Sequence, residues 1–267
     1  NTVVNQCDSI FNSPKGLGLI DFNTTTQTVY SGTSSSSYNV LIRSNSSSEA
    51  IFAGGFCTSG VAQITTNLSY AASPELLALY DEENDLRYSS GKNSYFFQYN
   101  NGYYASHRLV GASKLPGNSL VFSEVYLNKA EALALLGRES EAISTLQDMR
   151  GKRMSDAGTI NETGEGLIKF IRNERRRELC GAGQRWFDLR RYAVNSIHPL
   201  PDNFTIRHRN NAYEANSRTW YENGYYELNA YTQDRAAWII PIPNYAIEFN
   251  RGELQNEIRP NRELQRD

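Results

Sequence analysis

Hydrophobic positions recur at helical spacing most clearly in the second half of the chain. Between residues 119 and 136 strong helix formers dominate, and Gly137 is placed to end the helix. A second helix is expected over residues 141–150, where apolar side chains again recur every three or four positions. Small residues such as Ala130 and Ala132 allow the two helices to pack closely. The pattern predicts an antiparallel helix pair of the tetratricopeptide kind.

Shorter elements are predicted around this pair. Residues 49–53 have the composition of a strand, and Ser73, followed by proline, is placed to begin a short helix. A hairpin is expected at Asn223-Gly224, because this dipeptide favours tight turns and is flanked here by aromatic residues. Residues 238–243 are expected to form a strand that leads into a short helix. The fold class is therefore mainly α, with tetratricopeptide-like helix pairs, irregular loops and a small hairpin.

The most heavily charged stretch runs from residue 171 to residue 191 and holds seven arginines. Glu174 and Glu178 are four residues apart, so they share one helical face and repel each other unless each meets a cation. Arg177 and Arg185 are close in sequence, and the planar fork of arginine suits paired carboxylates. The stretch predicts a clamp in which Arg and Glu pair across two helices, with Trp186, Phe187 and Leu189 packed beneath them. Gly181 and Gly183 are expected to end the first of these helices.

Composition and charge exclude several classes of function. A net charge of −2 and a pI of about 6.0 provide no broad positive field for a nucleic acid. No apolar run is long enough to span a membrane, and the first residues lack the pattern of a signal peptide. The three cysteines and three histidines are scattered without ligand spacing, so we expect no metal site and no cofactor. Buried thiols are the expected state of the cysteines.

The candidate ligand-binding residues lie in a polar stretch near the N-terminus. Residues 23–39 are mostly Ser, Thr and Asn, and Tyr30 and Tyr38 are their large side chains. Such a stretch cannot bury enough surface for a core, so we predict a long surface loop. Its tyrosines could stack on sugar rings while Asn39 bonds sugar hydroxyls, or the loop could be only a surface loop. Phe56, in a glycine-rich stretch, is a further candidate.

The charged stretch closely resembles the signature of a known family. The matching residues are Asn-Glu-Arg-Arg-Arg-Glu-Leu at 173–179 and Gly-Gln-Arg-Trp-Phe-Asp-Leu-Arg-Arg at 183–191. They resemble the SusD/RagB family of nutrient-binding outer-membrane lipoproteins of Bacteroidetes. Within this signature the resemblance assigns structural positions to Glu174, Arg177, Glu178, Arg185, Trp186 and Asp188. Further similarity covers the Asp85-Leu86-Arg87 turn and the C-terminal pattern around 238–256.

The resemblance implies a binding function without catalysis. Family members capture glycans at the cell surface for a SusC-like TonB-dependent transporter, so it implies an oligosaccharide ligand and that transporter as partners. It also implies that this chain is a C-terminal half, whose partner is the N-terminal half that carries the lipid anchor. The packing partner of residues 1–22 is then expected in that missing half. In this interpretation residues 1–118 form a loop-rich ligand-side segment and residues 119–267 the helical scaffold with a C-terminal hairpin and tail.

Two other functions remain open from the sequence. A structural docking subunit of the uptake complex would have no saccharide site of its own. A glycoside hydrolase would need two carboxylates facing one cleft, one of them with a raised pKa. Glu174 and Glu178 do not fit that requirement, because arginines crowded around them should lower their pKa values.

Overall fold

The chain forms two compact units, Asn1–Arg185 and Trp186–Asp267. The computed structural model describes residues 1–24, 48–56, 72–88, 95–99, 102–105, 116–217 and 219–266. Most regular structure in these ranges is helical, as predicted. No helix among the described residues has both the length and the apolar character that a membrane crossing requires.

The described residues of the first unit form five helices and four strands. The helices are α1 (Thr2–Phe11), α2 (Pro74–Leu77), α3 (Phe122–Leu135), α4 (Glu139–Arg150) and α5 (Gly164–Glu178). The strands form two antiparallel pairs, β1 (Ala50–Phe56) with β4 (Pro116–Val121) and β2 (Phe96–Tyr99) with β3 (Gly102–Ala105). The boundary predicted at residue 118 lies within β4, and the functional division there stays a prediction.

The predicted helix pair is confirmed as α3 and α4. Between them Gly137 adopts a positive φ of 75°, and Arg138 donates its backbone N–H to the Leu133 carbonyl oxygen at 2.9 Å. Gly137 itself donates to Ala134 at 3.0 Å. These two bonds are the pair that closes a helix on a glycine. The short connection places α4 against α3, as the sequence predicted.

The core of the first unit lies between α3, α4 and α5. Leu133, Leu146 and Leu167, one from each helix, are fully buried. The N-terminal residues, whose packing partner was expected in a missing half, instead form α1 and pack within this unit. Cys7 of α1 is buried against Phe122 of α3.

Of two predicted helix boundaries, the start of α2 is confirmed and the end of α5 is wrong. Ser73 caps α2 as predicted, accepting a hydrogen bond from the backbone N–H of Leu76 at 3.3 Å. Helix α5 ends at Glu178, before the two glycines that were expected to end it. Gly181 and Gly183 lie in the turn that follows, both with positive φ. The turn, rather than the helix end itself, needs their conformation.

The part of the second unit that the structure describes forms a hairpin and three helices. The helices are α6 (Arg185–Ala193, whose first residue ends the first unit), α7 (Arg235–Trp238) and α8 (Asn244–Phe249). Strands β5 (Ile206–Glu214) and β6 (Thr219–Leu228) pair antiparallel. Leu189, Tyr192 and Trp238 form the buried cluster of this unit.

The predicted hairpin exists, but the prediction of its turn was wrong. The turn lies between Glu214 and Thr219, whereas Asn223-Gly224 lies inside β6 at an irregularity in the pairing. Gln265, near the end of the chain, exchanges two backbone hydrogen bonds of 2.9 Å with Tyr225. A Cβ on Gly224 would lie 2.2 Å from the Gln265 carbonyl oxygen, so the glycine permits close approach of this segment.

The strand predicted over residues 238–243 is also wrong. Trp238 ends α7, and the residues after it belong to no strand, because Pro241 and Pro243 have no N–H to donate to a sheet. The side chain of Asn256 holds this segment instead. It accepts from the Ile242 N–H at 2.7 Å and donates to the Ile242 carbonyl oxygen at 2.9 Å. The short helix predicted next is confirmed as α8.

Candidate functional site

A buried network of ion pairs forms around the charged face of α5. It contains four carboxylates and four guanidinium groups, each at most 9% exposed as a side chain. The acids are Glu49, Asp85, Glu174 and Glu178, and the arginines are Arg87, Arg150, Arg153 and Arg177. We call this set of eight residues the buried ion network. Its formal charges cancel, which is the condition under which charges are tolerated in an interior.

Glu174 receives arginines from three elements. Arg87, in the turn after α2, approaches one carboxylate oxygen at 2.7 Å, and Arg150 at the end of α4 approaches the other at 2.6 Å. Arg177, one turn further along α5, donates to the same oxygen as Arg150. Burial alone would raise the pKa of Glu174, but Arg87, Arg177 and Arg150 outweigh it and hold that pKa well below the usual 4.5.

Glu178 and Glu49 share Arg153. The guanidinium Nη2 of Arg153 lies 3.0 Å from Glu178 and 2.7 Å from Glu49. Burial would raise the pKa of Glu178, but Arg153 and Arg87 outweigh it and lower that pKa. Burial dominates at Glu49, where it raises the pKa despite Arg153. The network therefore contains acids whose pKa values are displaced in opposite directions.

Arg153 also fixes two stretches of backbone. Its Nη1 donates to the Ile20 carbonyl oxygen at 2.6 Å, and the Ile20 N–H donates to Glu49 at 2.6 Å. The guanidinium lies over the Phe22 ring, 4.4 Å from its centroid. The Phe22 N–H donates to the carbonyl oxygen of Lys152 at 2.9 Å. Residues on both sides of the segment 25–47 are thus held by the turn at the end of α4.

The predicted signature residues are located in both units. Glu174, Arg177 and Glu178 come together in the buried ion network, and Arg185 begins α6. Trp186 stacks on Trp238 in the second unit, with ring centroids 5.3 Å apart. These findings describe where the signature residues lie and leave their assigned roles as predictions.

Other residues of α6 lie on different sides of the helix. Asp188, the sixth signature residue, is buried and accepts a hydrogen bond from Arg191 at 3.1 Å. Leu189 is buried in the cluster of the second unit. Phe187, which was expected to pack with Trp186 beneath the ion pairs, is 55% exposed. The helix therefore buries Leu189 and Asp188 and presents Phe187 to solvent.

Of the four ligand-binding candidates, Phe56 alone lies within the described residues. Tyr30, Tyr38 and Asn39 lie outside the described residues. Phe56 is the last residue of β1, where its backbone pairs with Pro116, so it belongs to a strand rather than to the predicted loop. In the hairpin, Tyr225 is buried whereas Tyr221 is about half exposed.

The sequence interpretation missed most partners of the acidic pair. Arg150 ends a predicted helix, Arg153 follows that helix, and Glu49 begins a predicted strand, so no local spacing joined them to Glu174 and Glu178. A weak signal exists in the sequence, since Arg150 and Arg153 lie between the apolar residues Met149 and Met154, which are both buried. Among the described residues, no group of three His, Cys, Asp or Glu side chains is arranged to hold a metal ion.

The ion network predicts a stability that depends on pH. A carboxyl whose pKa is lowered by folding stabilises the protein above its unfolded pKa, and this contribution is lost as the pH falls through the folded value. The stabilising contributions of Glu174 and Glu178 are therefore lost as the pH falls below about 4.5. The pKa of Glu49 is raised, so protonation of Glu49 on acidification favours the folded state instead. We expect the free energy of unfolding to fall below pH 4.5, and Glu174→Gln to make this fall shallower.

Urea unfolding between pH 3 and pH 7 measures this effect. Glu141→Gln is the matched control, because Glu141 also has a pKa lowered by an arginine, Arg138, but lies exposed at the surface. The control should leave the acid dependence nearly unchanged. An equally steep acid dependence in the Glu174→Gln protein would contradict the assignment to the network.

Comparison with known proteins identifies the relatives of this chain. A family model described as the SusD family matches residues 66–258. A curated relative, SusD-like protein P38 of Formosa agariphila, is 39% identical over 90 residues, which are 30% of this chain and 18% of the relative. The family match thus extends over the buried ion network from Asp85 onwards and over most of the second unit.

Solved structures of similar fold come from Bacteroides. A SusD-like carbohydrate binding protein of Bacteroides vulgatus matches 82% of this chain and 46% of its own, with a TM-score of 0.52 and 16% identity. A SusD superfamily protein of Bacteroides thetaiotaomicron matches 72% of this chain and 44% of its own, with a TM-score of 0.49 and 22% identity. The chain therefore spans less than half the length of these relatives.

Proposed function

The chain belongs to the SusD family, and from this premise we propose that it serves in the binding of an oligosaccharide nutrient at the cell surface. The captured glycan would pass to a TonB-dependent, SusC-like transporter in the outer membrane. A lipid anchor would hold the protein on the outer face of that membrane. The observation that carries the proposal is the family match over residues 66–258, which includes the signature on α5 and α6.

The relatives support a saccharide ligand. The structural relative from Bacteroides vulgatus is described as a carbohydrate binding protein, and its fold resembles that of this chain. Tyr30 and Tyr38 are our candidates for stacking on sugar rings, because pyranose faces are apolar and an aromatic ring covers them well. Asn39 would bond ring hydroxyls, and Phe56 is a further candidate.

The buried ion network and its neighbour Lys152 hold the residues on both sides of the segment that contains Tyr30 and Tyr38, and this supports a binding role for that segment. Ile20 and Phe22 precede the segment that contains Tyr30 and Tyr38, and Glu49 follows it; all three are held by Arg153 or its neighbour Lys152. Anchored ends reduce the conformational freedom that a binding segment loses when it takes up a ligand. The network would thus contribute to affinity without touching the sugar.

The electrostatics of the network argue against glycoside hydrolysis by its acids. A glycosidase acid must reach the substrate and keep its proton near neutral pH. Glu174 and Glu178 are almost completely buried and have lowered pKa values. Glu49 has a raised pKa but is equally buried, so it cannot meet a glycan. We therefore propose a protein that binds without catalysis.

Removal of a stacking tyrosine should weaken glycan binding. We expect Tyr30→Ala or Tyr38→Ala to raise the dissociation constant about 5- to 30-fold, equivalent to about 1–2 kcal/mol of lost ring burial. Calorimetric titration with a glycan that the unsubstituted protein binds measures the change. Tyr245→Ala is the matched control, since Tyr245 on α8 is 75% exposed in the second unit. Equal affinity in all three variants would remove both tyrosines from the proposed site.

A docking role is the second candidate, and one surface favours it. Tyr245, Phe249 and Ile258 are 75%, 88% and 94% exposed, and large apolar side chains exposed close together in sequence often mark contacts with other proteins. A docking subunit without a saccharide site would bind the transporter but no glycan. Under that role, Phe249→Ala would weaken transporter binding and the glycan titrations would show no heat of binding.

A further inference from the structure

A polar cleft opens within the second unit, apart from the residues discussed above as saccharide candidates. Its volume is about 380 Å³, and its walls come from the stretches 227–229, 233–234 and 260–265. This volume lies within the range of about 300–1,000 Å³ that is common for small-molecule sites. Every lining residue belongs to the second unit, so the cleft is defined within that unit alone.

The walls of the cleft are fixed by hydrogen bonds at three points. Arg262 pairs with the carboxylate of Asp234 and donates to the Glu227 carbonyl oxygen at 2.6 Å. Gln265 is held to β6 by its two backbone bonds with Tyr225. Trp238 donates its indole N–H to the Asn229 carbonyl oxygen at 2.8 Å. The C-terminal segment is therefore attached to the hairpin on one side of the cleft and to α7 on the other.

Several polar side chains of the lining remain available for a ligand. Within the described part of the chain, no hydrogen bond is made by the side chains of Asn229, Asn261, Glu263 and Gln265, which all line the cleft. Each amide offers both a donor and an acceptor, and a carboxylate accepts two or more hydrogen bonds. Neighbouring hydroxyl groups on a sugar ring present the complementary set.

Charge and polarity narrow the class of ligand. Arg262 is the only basic residue in the described part of the lining, and it is already paired with Asp234. Glu227 is paired with Arg207, and Glu263 adds a negative charge, so an anion would be repelled. Among the residues that the structure describes, no aromatic side chain lines the cleft, which disfavours a flat apolar ligand. A neutral, polyhydroxylated molecule meets these conditions best.

The geometry points to this cleft as a binding site for a short neutral saccharide, bound through its hydroxyl groups by Asn229, Asn261, Glu263 and Gln265. The site goes beyond the proposed function, because it lies in the second unit and uses hydrogen bonds rather than aromatic stacking. It would give the protein a second point of contact with a glycan. The ligand class follows from the side chains of the lining.

Chemical-shift mapping by NMR tests the inference, with maltose, cellobiose and laminaribiose as probes. We expect saturable shifts of the backbone amides in 227–234 and 260–265 for at least one disaccharide. The double substitution Asn261→Ala/Glu263→Ala should raise the dissociation constant about tenfold or more, because it removes two hydrogen-bonding groups. Gln255→Ala, at an exposed position outside the lining, is the matched control and should bind like the unsubstituted protein.

The other outcomes separate this inference from the proposed function. Saturable shifts confined to other residues would overturn the cleft as a site and leave glycan binding intact. Spermidine is a cationic probe for the acidic residues of the lining. If it bound to the cleft and no disaccharide did, the assignment of a neutral saccharide as the ligand would be overturned. Equal affinity in the double variant and the control would overturn the assigned residues. Absence of disaccharide binding would overturn the inference, while titration of longer glycans with the Tyr30 and Tyr38 variants would still test the proposed function.

Discussion

Arg153→Ala should destabilise the first unit by about 3–5 kcal/mol, the usual cost of removing one partner from a buried ion pair. Arg153 is fully buried and contacts Glu49, Glu178 and the Ile20 carbonyl oxygen at once. Its removal leaves two buried carboxylates without their shared cation. Chemical denaturation monitored by circular dichroism measures the loss of unfolding free energy.

Two further variants show whether the loss comes from the buried network. Arg138→Ala also removes an arginine paired with a glutamate near an end of α4, but this pair with Glu141 is exposed, so its removal should cost little stability. Arg153→Lys keeps the charge and loses the planar fork, so we expect an intermediate loss. A loss for Arg153→Ala no larger than that for Arg138→Ala would contradict the importance of the network.

Trp238→Ala should destabilise the second unit by about 3–5 kcal/mol, as is usual when a large aromatic side chain is removed from a core. Trp238 is fully buried, stacks on Trp186 and donates its indole N–H to Asn229. The substitution leaves a cavity and an unpaired carbonyl group. Hydrogen exchange of amides in β5 and β6 measures the stability of this unit directly.

Phe249→Ala provides the control for this prediction. It also removes a large aromatic ring from the second unit, but Phe249 is 88% exposed, so exchange in β5 and β6 should remain nearly unchanged. If Trp238→Ala left these exchange rates as they are in the unsubstituted protein, the cluster around Trp238 would not be the core of the unit.

Elements specified by neighbouring residues could be predicted from the sequence. Helices α3 and α4 follow from local helix formers, and the turn between them follows from Gly137. The cap at Ser73 is likewise local. In each case the interactions that determine the element lie within about five residues, so the sequence pattern contains the necessary information.

Elements specified by distant residues were predicted incorrectly or were not predicted. Asn223-Gly224 has the composition of a hairpin turn, but the approach of Gln265, about 40 residues later, makes it an irregularity within β6. The N-terminal helix α1 contains adjacent Val3 and Val4, which are weak helix formers, and its packing against α3 stabilises it. Local propensity could not reveal either contact.

In the candidate site, too, local contacts could be predicted from the sequence and distant contacts could not. The sequence identified Glu174 and Glu178 as acids that need cations, and it identified Arg177 as one partner. Their other partners come from Arg87, Arg150 and Arg153, which only the fold brings to α5. The assignment of Tyr30, Tyr38 and Asn39 to a saccharide site rests on composition and stays a prediction.

Calorimetric titration of the purified protein with a panel of soluble oligosaccharides tests the central claim most directly. We expect at least one glycan to bind saturably with a dissociation constant between micromolar and millimolar, equivalent to about 4–8 kcal/mol. A folded protein that binds no glycan of the panel, yet still binds a SusC-like transporter, would contradict saccharide binding and establish the docking role instead.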